Sequence, residues 1–92
     1  MLKEEFFAGL EADDFAPAVS IERPVGYAMG EHQHDFDARA LIIAGQITLQ
    51  VAGIATTYSV GDVFRLAAGT PHHESAGPDG VTFLSGRRTQ AV

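Results

Sequence analysis

Four histidines fall in two tight pairs, His32 with His34 and His72 with His73, about forty positions apart. On an extended strand successive side chains alternate faces, so His32 and His34 point the same way and both imidazoles reach one ion. A third imidazole from another strand completes a facial set and leaves positions open for water or substrate. Neutral imidazole suits Zn, Cu, Fe and Ni; mixed with carboxylate or water it also accommodates Mn. The second pair of histidines lies on a later stretch of the chain. The competing reading of a lone His-x-His is a solvated strand face. Here the same face continues as Phe36, Ala38, Ala40 and Ile42, an apolar stripe, which puts the histidines at the mouth of a core. The chain has no cysteine, which excludes disulfides, thiolate metal sites and thiol nucleophiles.

The elements that must position these residues are short. At 92 residues the chain is one small domain. Leu2, Phe6 and Leu10 recur at helical spacing over residues 2–12, with acids in the first turn where the helix dipole favours them. Pro17 closes this N-terminal segment, residues 1–16. From residue 18 the pattern is that of strands, and the barrel is expected over 18–88. Val19 and Ile21 alternate with polar residues, a long extended stretch covers 31–44, and Ile47, Leu49 and Val51 alternate before Gly53. Thr56–Val60 returns as a hairpin, Val63–Leu66 forms another strand, and Val81–Leu84 a last one after a turn at Gly77-Pro78-Asp79-Gly80. Short strands separated by Gly, Pro and Asp turns predict an all-β antiparallel barrel or sandwich with a short N-terminal helix. Leu41 and Ile43 alternate to the outside, where the helix or a second copy of the chain must cover them.

Gly26, His32-x-His34 and Gly45 resemble the first motif of the cupins. Gly61 and Ala67-x-Gly69-Thr70-Pro71-His72 are similar to the second, and fifteen residues separate Gly45 from Gly61, as in compact single-domain members. The resemblance covers residues 26–76. It implies a jelly-roll barrel holding a divalent ion (Zn, Fe, Ni, Cu or Mn) on His32, His34 and His72, and a homodimer, since cupins commonly pair through their sheets. The chain departs from the pattern at three places: Ala38 stands where the family's glutamate ligand falls, Ala67 where a proline falls, and Ala76 where an asparagine falls. Three neutral imidazoles without that glutamate favour Zn, Fe, Ni or Cu over Mn. Two carboxylates are candidates for a fourth ligand. Glu74 shares the face of His72, with a solvated carboxylate at the rim as its competing reading. Asp37 lies outward by strict alternation, where it can pair with Arg39, and turns inward only through a β-bulge near residue 36.

Met29, Phe36, Phe64 and Phe83, with Tyr27, are the candidate pocket lining over the ion; plain core filling is the competing reading. Arg65 lies one strand away, either to hold a substrate carboxylate or as part of a solvated face. No residue is assigned a catalytic role.

A net charge of −6 with only six basic residues excludes nucleic acid and disfavours an anionic membrane surface. The start carries early acids and no apolar signal core, and the longest purely apolar run, Ala40–Ala44, is far too short to span a bilayer. The expectation is a cytoplasmic protein with a small-molecule ligand. The leading functional reading is a small metal-binding cupin with an internal pocket, a metal-dependent oxygenase or isomerase. The alternative is a non-catalytic ligand-binding or sensor barrel whose metal is structural or absent, and a metal-free interaction module is the third.

Overall fold

A computed structural model describes residues 1–89. One helix, α1 (Lys3–Ala12), precedes six strands: β1 (Val19–Arg23), β2 (Ala28–His32), β3 (Phe36–Val51), β4 (Ile54–Ser59), β5 (Val63–Leu66) and β6 (His72–Thr89). All pairings are antiparallel, and the two long strands organise the rest. β3 pairs with β6 from Phe36↔Thr89 to Gln50↔His73. The free edge of β6 carries β2 at its start and β1 further on, while that of β3 carries β5 and then β4.

The sheet curls round an apolar interior of Ala38, Ala40, Ile42, Ile47, Leu49, Phe64, Leu66, Val81 and Phe83. The inward residues of β3 are even-numbered through Ile42 and odd-numbered from Ile47. Ile42 pairs with Phe83 and Ala44 with Thr82, so Ile43 is an extra residue, and this bulge changes the parity. The turn expected at Gly77–Gly80 is instead a second irregularity inside β6. Between the pairs Ile47↔Ala76 and Gly45↔Val81, four residues of β6 stand opposite Gln46 alone. Gly45 and Gly80 both take left-handed φ there, +69° and +74°, and a Cβ on Gly45 would run into the Gly80 carbonyl. Gly and Pro therefore mark a bulge that bends the strand without ending it.

A second cluster lies outside the barrel. Phe6 and Leu10, one helical turn apart on α1, pack on Leu41 from the outer face of β3, flanked by Ile43, Val63 and Leu84. α1 of the same chain thus covers Leu41, which is 2% exposed. Each large side chain buried this way contributes about 1.5–3 kcal/mol relative to exposure.

Candidate metal centre

β2 and β6 bring the first two histidines together. His32 pairs directly with His72 across the ladder, with ring centroids 4.2 Å apart. His34 lies 5.0 Å from His32 and 5.3 Å from His72 by the same measure. Sequence periodicity predicts one extended run over 31–44, but residues 33–35 lie outside any strand. The link is pinned to the loop before His72, because Gly69 N–H donates to the His34 carbonyl at 2.8 Å. Glu74, two residues beyond His72 on β6, turns its carboxylate to the same point. One ligating atom from each of His32, His34, His72 and Glu74 lies within 4.8 Å of all the others.

Hydrogen bonds behind the rings decide which nitrogens face inward. His32 Nδ1 lies 2.8 Å from the Gly30 carbonyl and His72 Nδ1 2.9 Å from the Thr70 carbonyl. A carbonyl only accepts, so each Nδ1 carries the proton and each neutral ring aims its Nε2 lone pair into the cluster. There Glu74 Oε1 lies 3.0 Å from His32 Nε2 and 3.3 Å from His72 Nε2. His72 is 2% exposed, and its buried Nε2 makes no hydrogen bond. Imidazole lone pairs pressed against a carboxylate repel unless a positive charge lies between them. A proton or a metal cation resolves that conflict, so this donor set fits a divalent ion.

Two neighbours tune the cluster. Tyr27 Oη donates to Glu74 Oε2 at 3.2 Å, which leaves Oε1 for the histidines. Burial, opposed by the Arg23 side chain and aided by the Glu74 charge, raises the phenol above its ordinary 10, so it stays a donor. Burial, followed by the neighbouring His32 and His72, lowers His34 from its ordinary 6.5 and favours the ligating, neutral form.

Asp37 is not part of this cluster. Its Oδ2 accepts from Arg88 Nη2 at 2.9 Å and Nε at 3.1 Å, and its Oδ1 accepts from Ala68 N–H at 2.9 Å. Strict alternation holds at residue 36, so no bulge turns Asp37 inward. The guanidinium of Arg39 binds Asp13 at 2.7 Å. Glu74, on β6, is placed where it could supply the carboxylate that Ala38 does not. With an anionic donor in place, the preference against Mn inferred from three imidazoles no longer applies. His73 is exposed and faces away, paired with Gln50 across the ladder.

The cluster opens into a cavity of about 150 Å³. Met29, Phe36, Phe64 and Phe83 all line it, with Tyr27 beside them. Arg65 does not reach it and is exposed. Arg23 and Arg87 do line it, and sequence reasoning missed both. Period-two alternation carries the signal: Ile21 and Arg23 share one face of β1, and Phe83, Ser85 and Arg87 share one face of β6. The expected last strand stops at Leu84, so Arg87 falls outside it. A larger groove, about 930 Å³, runs beside α1; it shares only Arg87 with the histidine cavity and contains none of the four clustered ligands.

No protein-family model matches the chain, and no curated protein does. Solved structures do. A cupin protein from Bacteroides fragilis superposes with a TM-score of 0.67 at 20% identity, covering 89% of this chain and 74% of that one. The chain is a small domain of the cupin fold. EutQ from Clostridium difficile matches with a TM-score of 0.72 at 18% identity over 87% of this chain, and the DMSP lyase DddQ from Ruegeria pomeroyi with 0.71 at 23% over 79%. This cupin domain spans 61% of the EutQ chain and 38% of the lyase. No helix among the described residues is long and apolar enough to cross a membrane.

Proposed function

We propose that this cupin domain binds one divalent metal ion through His32, His34, His72 and Glu74 and uses it to hold and activate a small organic ligand in the adjoining cavity. The convergence of two Nε2 lone pairs on the Glu74 carboxylate carries this reading, because it is an electrostatic conflict that a cation relieves. The bound ion would act as a Lewis acid or oxygen activator, which makes oxygenase and isomerase chemistry the reaction classes of choice. The DMSP lyase among the structural neighbours supports an enzymatic role for a barrel of this shape.

The chain's own residues supply positioning. The Gly30 and Thr70 carbonyls fix two imidazole tautomers, and Tyr27 orients Glu74. Phe36, Phe64 and Phe83 exclude water from the inner cavity wall. The Tyr27 hydroxyl, raised in pKa, is the proton donor next to the cluster. A second reading, a non-catalytic ligand-binding or sensor barrel, is favoured by one observation. Among the described residues, Glu74 is the only carboxylate lining the cavity, and once it ligates the metal no carboxylate base remains.

Elemental analysis of protein purified without a metal-affinity tag tests the metal. About one equivalent of a divalent ion per chain is expected. Its absence, together with unchanged stability of His32→Ala, overturns the reading. If metal is bound but His32, His34 and His72 variants retain any turnover found by substrate screening, the enzymatic version gives way to the sensor.

A further inference from the structure

The walls of the cavity hold two guanidinium groups that the metal cluster does not use. Arg87 lies over the Phe36 ring, 4.4 Å from its centroid, and Phe36 in turn stacks on His34 at 4.8 Å with the rings inclined by 21°. Arg23 lies 5.2 Å from the Tyr27 centroid, and Tyr27 donates to Glu74. Each arginine is therefore one aromatic ring away from a member of the cluster. Arg23 Nε is buried and makes no hydrogen bond in the protein.

The charge balance is unusual for this chain. It carries twelve acids and six basic residues, yet two of those six bases line this cavity against one acid, Glu74. A cavity in which guanidinium groups outnumber carboxylates favours anionic ligands, and planar guanidinium forks match the geometry of a carboxylate. Resting on the metal-site reading above, we propose that the ligand is a small organic carboxylate. Its anionic group pairs with a guanidinium of the cavity wall, Arg23 or Arg87, and its body reaches toward His32, His34, His72 and Glu74. A cavity of about 150 Å³ limits that body to roughly the size of a benzene ring. Of the alternatives raised by the sequence, Arg65 plays no part, being outside the cavity.

The test is a binding series by NMR titration: monocarboxylates from acetate to benzoate, each beside its neutral amide, against zinc-loaded and metal-free protein. The expected result is that at least one acid binds at millimolar concentration or tighter and that its amide binds about tenfold or more weakly. An Arg23→Gln/Arg87→Gln double variant should shrink that ratio by about tenfold or more while binding the same equivalents of zinc, because a carboxylate held only by the metal would keep its preference. Arg87→Lys, which keeps the charge, should retain part of it. Equal binding of acid and amide, an undiminished ratio in the double variant, or no binding by any acid overturns the proposal. Failure to bind zinc sinks the metal reading separately, since the acid-to-amide ratio is also read on metal-free protein.

Discussion

Tyr27 holds Glu74 by one oxygen and thereby presents the other to the histidines. The phenol donates to Oε2 at 3.2 Å, and Oε1 stands 3.0 Å from His32 Nε2. Partners of this kind fix the orientation and basicity of a ligand, and losing one typically lowers metal affinity by about 10–100-fold. Tyr27→Phe should show that loss in a chelator competition while leaving the stoichiometry at one. An unchanged affinity would make the Tyr27 contact incidental.

Glu74→Gln removes the negative charge at nearly constant shape. Where both imidazoles are neutral, the metal-free variant relieves the repulsion between the carboxylate and the two Nε2 lone pairs, so its thermal stability there should equal or exceed the parent's. Its gain in stability on adding zinc should be smaller, because a neutral amide is a poorer ligand for a dication. Melting curves with and without zinc check both halves. A variant that loses stability when metal-free and gains as much from zinc would place the carboxylate outside the centre.

Asp37 is predicted to matter for stability and not for metal. Its carboxyl is 12% exposed and ties β3 to Arg88 and to the Ala68 amide. Asp37→Ala leaves those donors without a partner and should cost about 1–3 kcal/mol in urea unfolding. Zinc stoichiometry should be unchanged; a loss of bound zinc would return Asp37 to the site.

The pH dependence follows from His34. In the unfolded chain it takes up a proton near 6.5, whereas burial and the neighbouring imidazoles lower that value in the folded protein. The unfolded state therefore binds more protons between the two values, and stability rises with pH across that window. The contribution is complete above about 6.5 and is lost as pH falls toward the folded value. Urea midpoints of metal-free protein at pH about 7.5 and about 5.5 should differ in that direction, and His34→Gln should narrow the gap. The opposite slope would mean that the folded state stabilises the imidazolium.

Ala52 occupies the first position of the β3–β4 turn with φ +52°, followed by Gly53 at +81°. Two left-handed residues in a two-residue hairpin suit Asn-Gly or Gly-Gly, and alanine is strained there by about 1 kcal/mol. Ala52→Asn or Ala52→Gly should raise the melting temperature, and a fall would show that the turn changes type.

Strand periodicity made much of this protein readable in advance. The step of two between His72 and Glu74 follows from alternation, as does the inward stripe Ala38, Ala40 and Ile42, whereas His34 lies between strands and is held through its carbonyl by Gly69. Long-range placement was not readable. That Glu74 and not Asp37 completes the cluster depends on Arg88, fifty-one positions from Asp37 and its neighbour only across the β3–β6 ladder. Gly77-Pro78-Asp79-Gly80 has the local chemistry of a chain reversal, but continued pairing with β3 makes it a bulge. The expected last strand also stopped at Leu84, before Ser85-Gly86, which hid Arg87 at the end of β6. Leu41 had two possible covers, and only the packing of Phe6 and Leu10 shows which one α1 provides.

The β3–β6 ladder also sets the order of events in folding. Phe36 pairs with Thr89 and His32 with His72 across long sequence separations, so a large loop must close before either contact forms. Such topologies fold slowly, on a scale of about milliseconds to seconds. His32, on a short edge strand, reaches its partners only when β6 is already in place. A metal captured there therefore arrives late: it should leave the folding rate nearly unchanged and act by slowing escape from the native state.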